Sequence, residues 1–168
     1  MRVDAERNRA KVIEAAMAAF EAEGLSVPVA EIARRAGVGT GTVSRHFPTK
    51  ESLYEAIVLV RLEEIVREGR RLLAAPEPGF FAFVDYLVAQ MTANRGLAEA
   101  LAGGGFDVEA AAARSELDLL GVEEQLLAEA QRAGVVRPGV TRDDVKALMV
   151  ACVGRPQLVE VVTAGLRP

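Results

Sequence analysis

Tryptophan is missing from this 168-residue chain, and cysteine and histidine occur once each, as Cys152 and His46. A lone cysteine excludes an internal disulfide and suits a reducing compartment, so a cytoplasmic location is expected. One imidazole and one thiol on distant segments leave no nucleophile–base–orienter pattern. No acid or thiol stands at ligand spacing around His46, and no cofactor fingerprint occurs. No catalytic residue, metal ligand or cofactor is therefore assigned, and an enzyme is not expected. Apolar runs are interrupted by charge well before the ~20 residues a membrane span needs. The first stretch, MRVDAERNRAKVIEAA, lacks the unbroken apolar core of a secretory signal. Runs of β-branched and aromatic residues at period two are also missing, which argues against a sheet. The triplet Gly103-Gly104-Gly105 has no following Lys-Ser/Thr, so it reads as a connection rather than a phosphate loop.

What is present is 51% hydrophobic residues, dominated by Ala, Leu and Val, in a chain long enough to bury a core. The expectation is an all-α protein. The net charge of −4 hides a division. Residues 1–50 carry eight Lys/Arg against six Asp/Glu, a net +2, and residues 51–168 carry twelve against eighteen, a net −6. Opposite signs in the two parts fit a protein of which only one part faces a polyanion.

Helical periodicity runs along the chain. Ile13, Met17 and Phe20 mark a first helix over 5–23, and Gly24 sits where a left-handed C-cap ends one. Val29, Ile32, Ala33 and Ala36 form the stripe of a short second helix, stopped by Gly37. Thr40 to Phe47 fits a third, pinned inward by Val43 and Phe47. Thr49 is an N-cap for a fourth helix over about 49–73, ended by the Ala-Ala-Pro-Glu-Pro-Gly run. Phe80, Phe83, Val84, Leu87, Val88 and Met91 keep helical spacing. Leu97 to Ala102 fits a short helix, and Val108 to Ala133 reads as one long helix. Thr141 caps a further one, and a last one follows Gly154-Arg155-Pro156. The division expected is a head at 1–50 and a body at 51–168.

One stretch concentrates special chemistry: Ile32 to Lys50, IARRAGVGTGTVSRHFPTK, with four basic side chains, three glycines and no acid. Two short helices across a tight glycine turn fit a helix-turn-helix, whose second helix lies in the major groove of DNA. Its outward positions are Thr40, Gly41, Thr42, Ser44, Arg45 and His46. Arg45 has the fork to read guanine O6 and N7, and Lys50 opens the next helix, where a phosphate is favoured. Arg34 and Arg35 fit either a DNA contact or solvated charge, and Arg2, Arg7, Arg9 and Lys11 either a basic arm or an ordinary terminus.

The run from Ile13 to Ile57 resembles the DNA-binding domain of the tetracycline-repressor (TetR) family. The residues that carry it are Ala16, Phe20 and Gly24, then Ile32 to Val38, Gly41 to Val43, His46 to Lys50 and Leu53 to Ile57. The resemblance implies a three-helix helix-turn-helix head on a larger helical body that senses ligand and dimerises. It also implies DNA contacts from Thr40, Thr42, Ser44, Arg45, His46 and Lys50. Ser44 stands where many members carry a tyrosine that contacts phosphate, and serine reaches less far. The partners expected are double-stranded DNA, a second copy of the chain and an unidentified small-molecule effector, with no membrane. Val145, Leu148, Met149, Cys152, Leu158, Val161 and Val162, on the last two helices, are the expected dimer face. Phe83, Tyr86, Leu87, Gln90, Met91, Arg114 and Asp118 are candidates for the ligand pocket. Arg114 and Asp118 also stand four apart, as a simple helix ion pair does. The competing expectation is a dimeric small-molecule-binding or adaptor protein whose helix-turn-helix no longer binds DNA.

Overall fold

In the computed structural model, residues 2–97, 99, 110, 111, 113 and 117–168 are described, and among them no strand occurs. The helices whose bounds lie within the described residues are α1 (Arg2–Glu23), α2 (Val29–Ala36), α3 (Thr40–His46), α4 (Lys50–Leu73), α5 (Phe80–Ala93), α6 (Leu119–Arg132), α7 (Arg142–Cys152) and α8 (Gln157–Leu166). The chain forms two compact units, which divide inside α4 between Val60 and Arg61. None of the described helices is long and apolar enough to cross a membrane.

The first unit holds α1, α2, α3, the start of α4, and Leu97. Its core is built from Val12, Ile13 and Ala16 of α1, Ile32 and Ala33 of α2, Val43 of α3, and Leu53 and Ile57 of α4. Ile32 and Leu53 are fully enclosed, each contributing roughly 1.5–3 kcal/mol of apolar burial. Packing carries this unit beyond the boundary read at residue 50, because Leu53, Tyr54, Ala56 and Ile57 are buried in the head core.

The glycine punctuation acts as the sequence reading expects. Gly24 has φ 79° and its N–H donates to the Phe20 carbonyl. Gly37, at φ 67°, closes α2: its N–H reaches Arg34 O and the N–H of Val38 reaches Ala33 O, the paired bonds of a Schellman end. Val38 then folds back on the core. Only Gly37, Val38 and Gly39 separate α2 from α3, so the turn is short and its direction is fixed. Thr49 caps α4 by accepting from the Ser52 N–H, while Ser52 Oγ accepts from Thr49 N.

In the second unit α5 packs against α6, α7 and α8. The expected single helix from Val108 to Ala133 is corrected. Leu117 and Asp118 are not helical, and Asp118 instead caps α6, accepting from the Gly121 N–H. A capped start is preferred there because the carboxylate satisfies a donor that a continuous helix would need to bond internally. Gly121 is tied to that cap, since a Cβ on it would lie 2.4 Å from Asp118 Oδ1. Gly69 of α4 allows a close approach of another kind: a Cβ there would stand 2.3 Å from Val122 Cγ1 and 3.0 Å from Phe83 Cε2. Thr141 and Asp144 form a reciprocal capping box at the start of α7. Most of the proposed Leu97–Ala102 helix, the triplet Gly103-Gly104-Gly105 and Arg114 lie outside the described residues.

Candidate nucleic-acid interface

Helix α3 has seven residues and two faces. Val43, 1% exposed, and Phe47 just after the helix point into the head core. Thr40, Gly41, Ser44 and Arg45 are exposed, and Thr42 and His46 are half-buried at the edges. The structure thus brings six of the seven residues read as DNA contacts onto one small helix. Space around Gly41 is open, with nothing within 4 Å of where a Cβ would stand. No ion pair engages Arg45 among the described residues, so its guanidinium fork faces solvent. Arg9 of α1 lies over the Phe47 ring at 5.4 Å, adding a cation near the end of α3.

Lys50 differs from the other six. Its ammonium donates to the Leu25 carbonyl in the α1–α2 turn and stands 5.8 Å from the Phe20 ring and 6.0 Å from the Tyr54 ring. Arg34 and Arg35 are engaged as well. Glu31 receives Arg34 through two bonds of 2.8 and 2.7 Å and Arg35 through one of 2.7 Å, and Arg35 also meets Glu23. Both ion pairs lie at the surface of the head, with the Arg34 side chain 73% exposed.

Hydrogen bonding from Arg34, then from Arg35, holds the Glu31 carboxyl at about 2. A carboxylate whose folded pKa lies below its ordinary value adds stability above that ordinary value and loses it as pH falls toward the folded one. Glu31→Gln is therefore expected to lower the melting temperature slightly at pH 7. Its melting temperature should also fall less steeply than the wild type's between about pH 4.5 and 2, with the two curves converging at the acid end. Thermal melts followed by circular dichroism check this. The effect is small because these ion pairs lie at the surface.

The body holds a cavity of about 20 Å³, the room of about one water. Phe80, Phe83, Val84 and Leu87 of α5, Leu127 of α6, and Val145 and Met149 of α7 line it, with Glu123 and Arg142. Arg142 Nε bonds Glu123 Oε2 at 2.6 Å, with both side chains mostly covered. Phe83 and Leu87 are the pocket candidates found here. Tyr86 is half-buried beside the α4 acids; burial, then Glu64 and Glu68, raise its phenol's pKa. Gln90 and Met91 are half-buried on α5 away from this lining, and Asp118 is exposed and engaged as a cap. Phe80 and Val84 share the i, i+3, i+4 face of Phe83 and were legible on that ground. Glu123 and Arg142 meet across nineteen residues, which no local pattern signals.

The expected dimer face is partly corrected. Val145, Met149 and Cys152 are buried within a single protomer, so they support α7 from beneath. The apolar residues left outward are Val150 at 52% and Val161 at 67% exposure, flanked by half-buried Leu148, Leu158 and Val162.

Two family models match: bacterial regulatory proteins of the tetR family over residues 12–57, and the SbtR-like transcriptional regulator C-terminal domain over 75–168. The TetR transcription regulatory protein from Mycobacterium vanbaalenii is 49% identical, with 99% of each chain covered and a TM-score of 0.78. The chain belongs to the TetR family of transcriptional regulators. The TetR transcriptional regulator SCO0520 from Streptomyces coelicolor is 30% identical, covering 95% of this chain and 98% of that one, with a TM-score of 0.69. The HTH-type transcriptional regulator SAUSA300_2515 of Staphylococcus aureus is 27% identical over 108 residues, which are 62% of this chain and 58% of that protein. The match thus spans less than two thirds of the staphylococcal relative's length. In this TetR-family regulator the helix-turn-helix is formed by α2 and α3.

Proposed function

We propose that this TetR-family regulator is a cytoplasmic repressor that binds a pseudo-palindromic operator as a homodimer and releases it when a small molecule occupies its body. The observation that carries the DNA part is the division of α3, with Val43 and Phe47 inward and Thr40, Gly41, Ser44 and Arg45 outward. In this reading Arg45 reads a base edge, and Thr40, Thr42, Ser44 and His46 contact phosphates or base edges. Gly41 lets the backbone come close. Phosphate contacts set register and supply much of the affinity, and base contacts give the sequence preference.

The exposed stripe Ala147, Val150 and Ala151 of α7, with Leu158, Val161 and Val162 of α8, is the proposed dimer face. Two-fold pairing of these helices gives a four-helix interface and places half-sites about one helical turn, ~34–36 Å, apart or a multiple of it. The effector reading is supported by the cavity lined by Phe83 and Leu87, which would have to widen from the room of about one water to hold a ligand. Helix α4 belongs to both units along the chain, so it is the path by which occupancy shifts the heads. Such a ligand acts only by its differential affinity for two states, typically ~1–3 kcal/mol of coupling.

The test is to sequence genomic fragments retained by the purified full chain and then to titrate a retained fragment against salt. The expected outcome is a shared inverted repeat and a linear fall of log K with log salt, about −0.9 for each neutralised phosphate. No retained fragment, or retention without a common sequence and without salt dependence, would return the chain to the adaptor reading.

A further inference from the structure

The cavity in the body has one charged wall. Its lining is otherwise apolar and includes the rings of Phe80 and Phe83 and the thioether of Met149, and Glu123 and Arg142 complete it. The two charged groups face each other, Nε to Oε2 at 2.6 Å, with the Arg142 side chain 19% and the Glu123 side chain 15% exposed. Charges covered this well are not parted without replacement, because removing one partner leaves an uncompensated ion. A polar occupant of this cavity must therefore take the place of one of the two.

Three observations decide which one. Arg142 already has a second carboxylate within reach: its Nη1 stands 3.3 Å from Oδ1 of Asp143, whose side chain is 88% exposed. It can turn outward onto Asp143 and stay matched, with water around both groups. An incoming carboxylate would instead displace Glu123 and face Asp143 across the same guanidinium. Room is the second consideration, since the cavity as it stands holds about one water. Arg142 is the larger of the two side chains, so its withdrawal clears more space than that of Glu123, and clears it where the occupant's charge must sit. The third is the surroundings. Phenyl rings present a negative face to a cation, and a thioether adapts to an irregular guest. Residues 51–168 carry a net −6, a field that draws cations in and holds anions off.

We propose that the body takes a compact organic cation, an alkylammonium or arylalkylammonium, whose charge replaces the Arg142 guanidinium on Glu123 while its apolar part lies along Phe80, Phe83 and Met149. The inference rests on the reading of this cavity as the effector site, and gives that effector a chemical class. Glu123 is the group that selects the charge, and Asp143 is the group that receives Arg142 when it leaves.

The experiment is calorimetric titration of the full-length protein at pH 7, without DNA, with three probes of matched length: phenylbutylammonium, phenylbutyrate and phenylbutanol. The ammonium is expected to bind at least about tenfold more tightly than either of the others. Glu123→Gln keeps the shape and removes the charge, and should weaken the ammonium by about tenfold to a hundredfold while leaving the alcohol unchanged. Asp143→Asn, at an exposed position, should weaken the ammonium by about threefold, because Arg142 then loses its place outside. Phenylbutyrate binding as tightly as the ammonium would overturn the proposal, as would an ammonium affinity indifferent to Glu123→Gln, or no heat from any probe at millimolar concentration. If Glu123→Gln fails to fold, Asp143→Asn decides: weaker ammonium binding supports the exchange, and unchanged binding removes it. Release of a retained operator fragment by phenylbutylammonium judges the effector reading separately. Binding without release would sink that reading and leave the cation site standing.

Discussion

Arg45→Ala is expected to weaken operator binding by about thirtyfold to twenty-thousandfold, because a bidentate guanine contact gives ~1–3 kcal/mol and a two-fold dimer loses it twice. The side chain is exposed on α3, one turn from neither Val43 nor Phe47, so the head core is untouched and the melting temperature should hold. The diagnostic part is the pattern of loss. Fluorescence anisotropy on a set of operators changed one base pair at a time should show that the variant no longer distinguishes bases at one position in each half-site. Equal weakening on every duplex, together with a shallower salt dependence, would make Arg45 a phosphate contact instead. Thr40 and Thr42 would then have to carry the base reading.

A second large effect is expected from Val161→Asp. Val161 is 67% exposed and α8 is anchored from beneath by Leu166, so a lone protomer should tolerate the change. In a two-fold interface each copy brings its aspartate to the same patch, and two like charges lose water together. Sedimentation should show monomers at concentrations where the wild type is dimeric. Operator affinity should fall by on the order of a hundredfold or more, because a single head retains only half the contacts of a symmetric site. An intact dimer in sedimentation would move the interface off the α7–α8 stripe.

How much of this was legible depended on how local the cause was. The head could be read because its punctuation is local: Gly24 and Gly37 need left-handed backbone, and Val43 and Phe47 keep one face of a short helix. Its family resemblance rests on that same spacing. The start of α6 was misread because the apolar pattern from Val108 to Ala133 continues in phase across Leu117 and Asp118. Only the aspartate three residues before Gly121 marks the break, and it was read as a pocket or ion-pair residue. The α7 stripe was assigned to the partner because an apolar face looks the same whether its own protomer or a second copy covers it. Val145, Met149 and Cys152 turned out to face inward. Lys50 and Arg142 find their partners 25 and 19 residues away, and no periodicity reports such meetings.

The ion cluster around Glu31 changes what the head offers to DNA that carries no operator. Two of its guanidinium groups share one carboxylate on α2, and Glu23 takes part of the second, so they offer little free charge to a random stretch of chromosome. The proposed regulator would then hold DNA without an operator more weakly than the number of arginines in its head suggests.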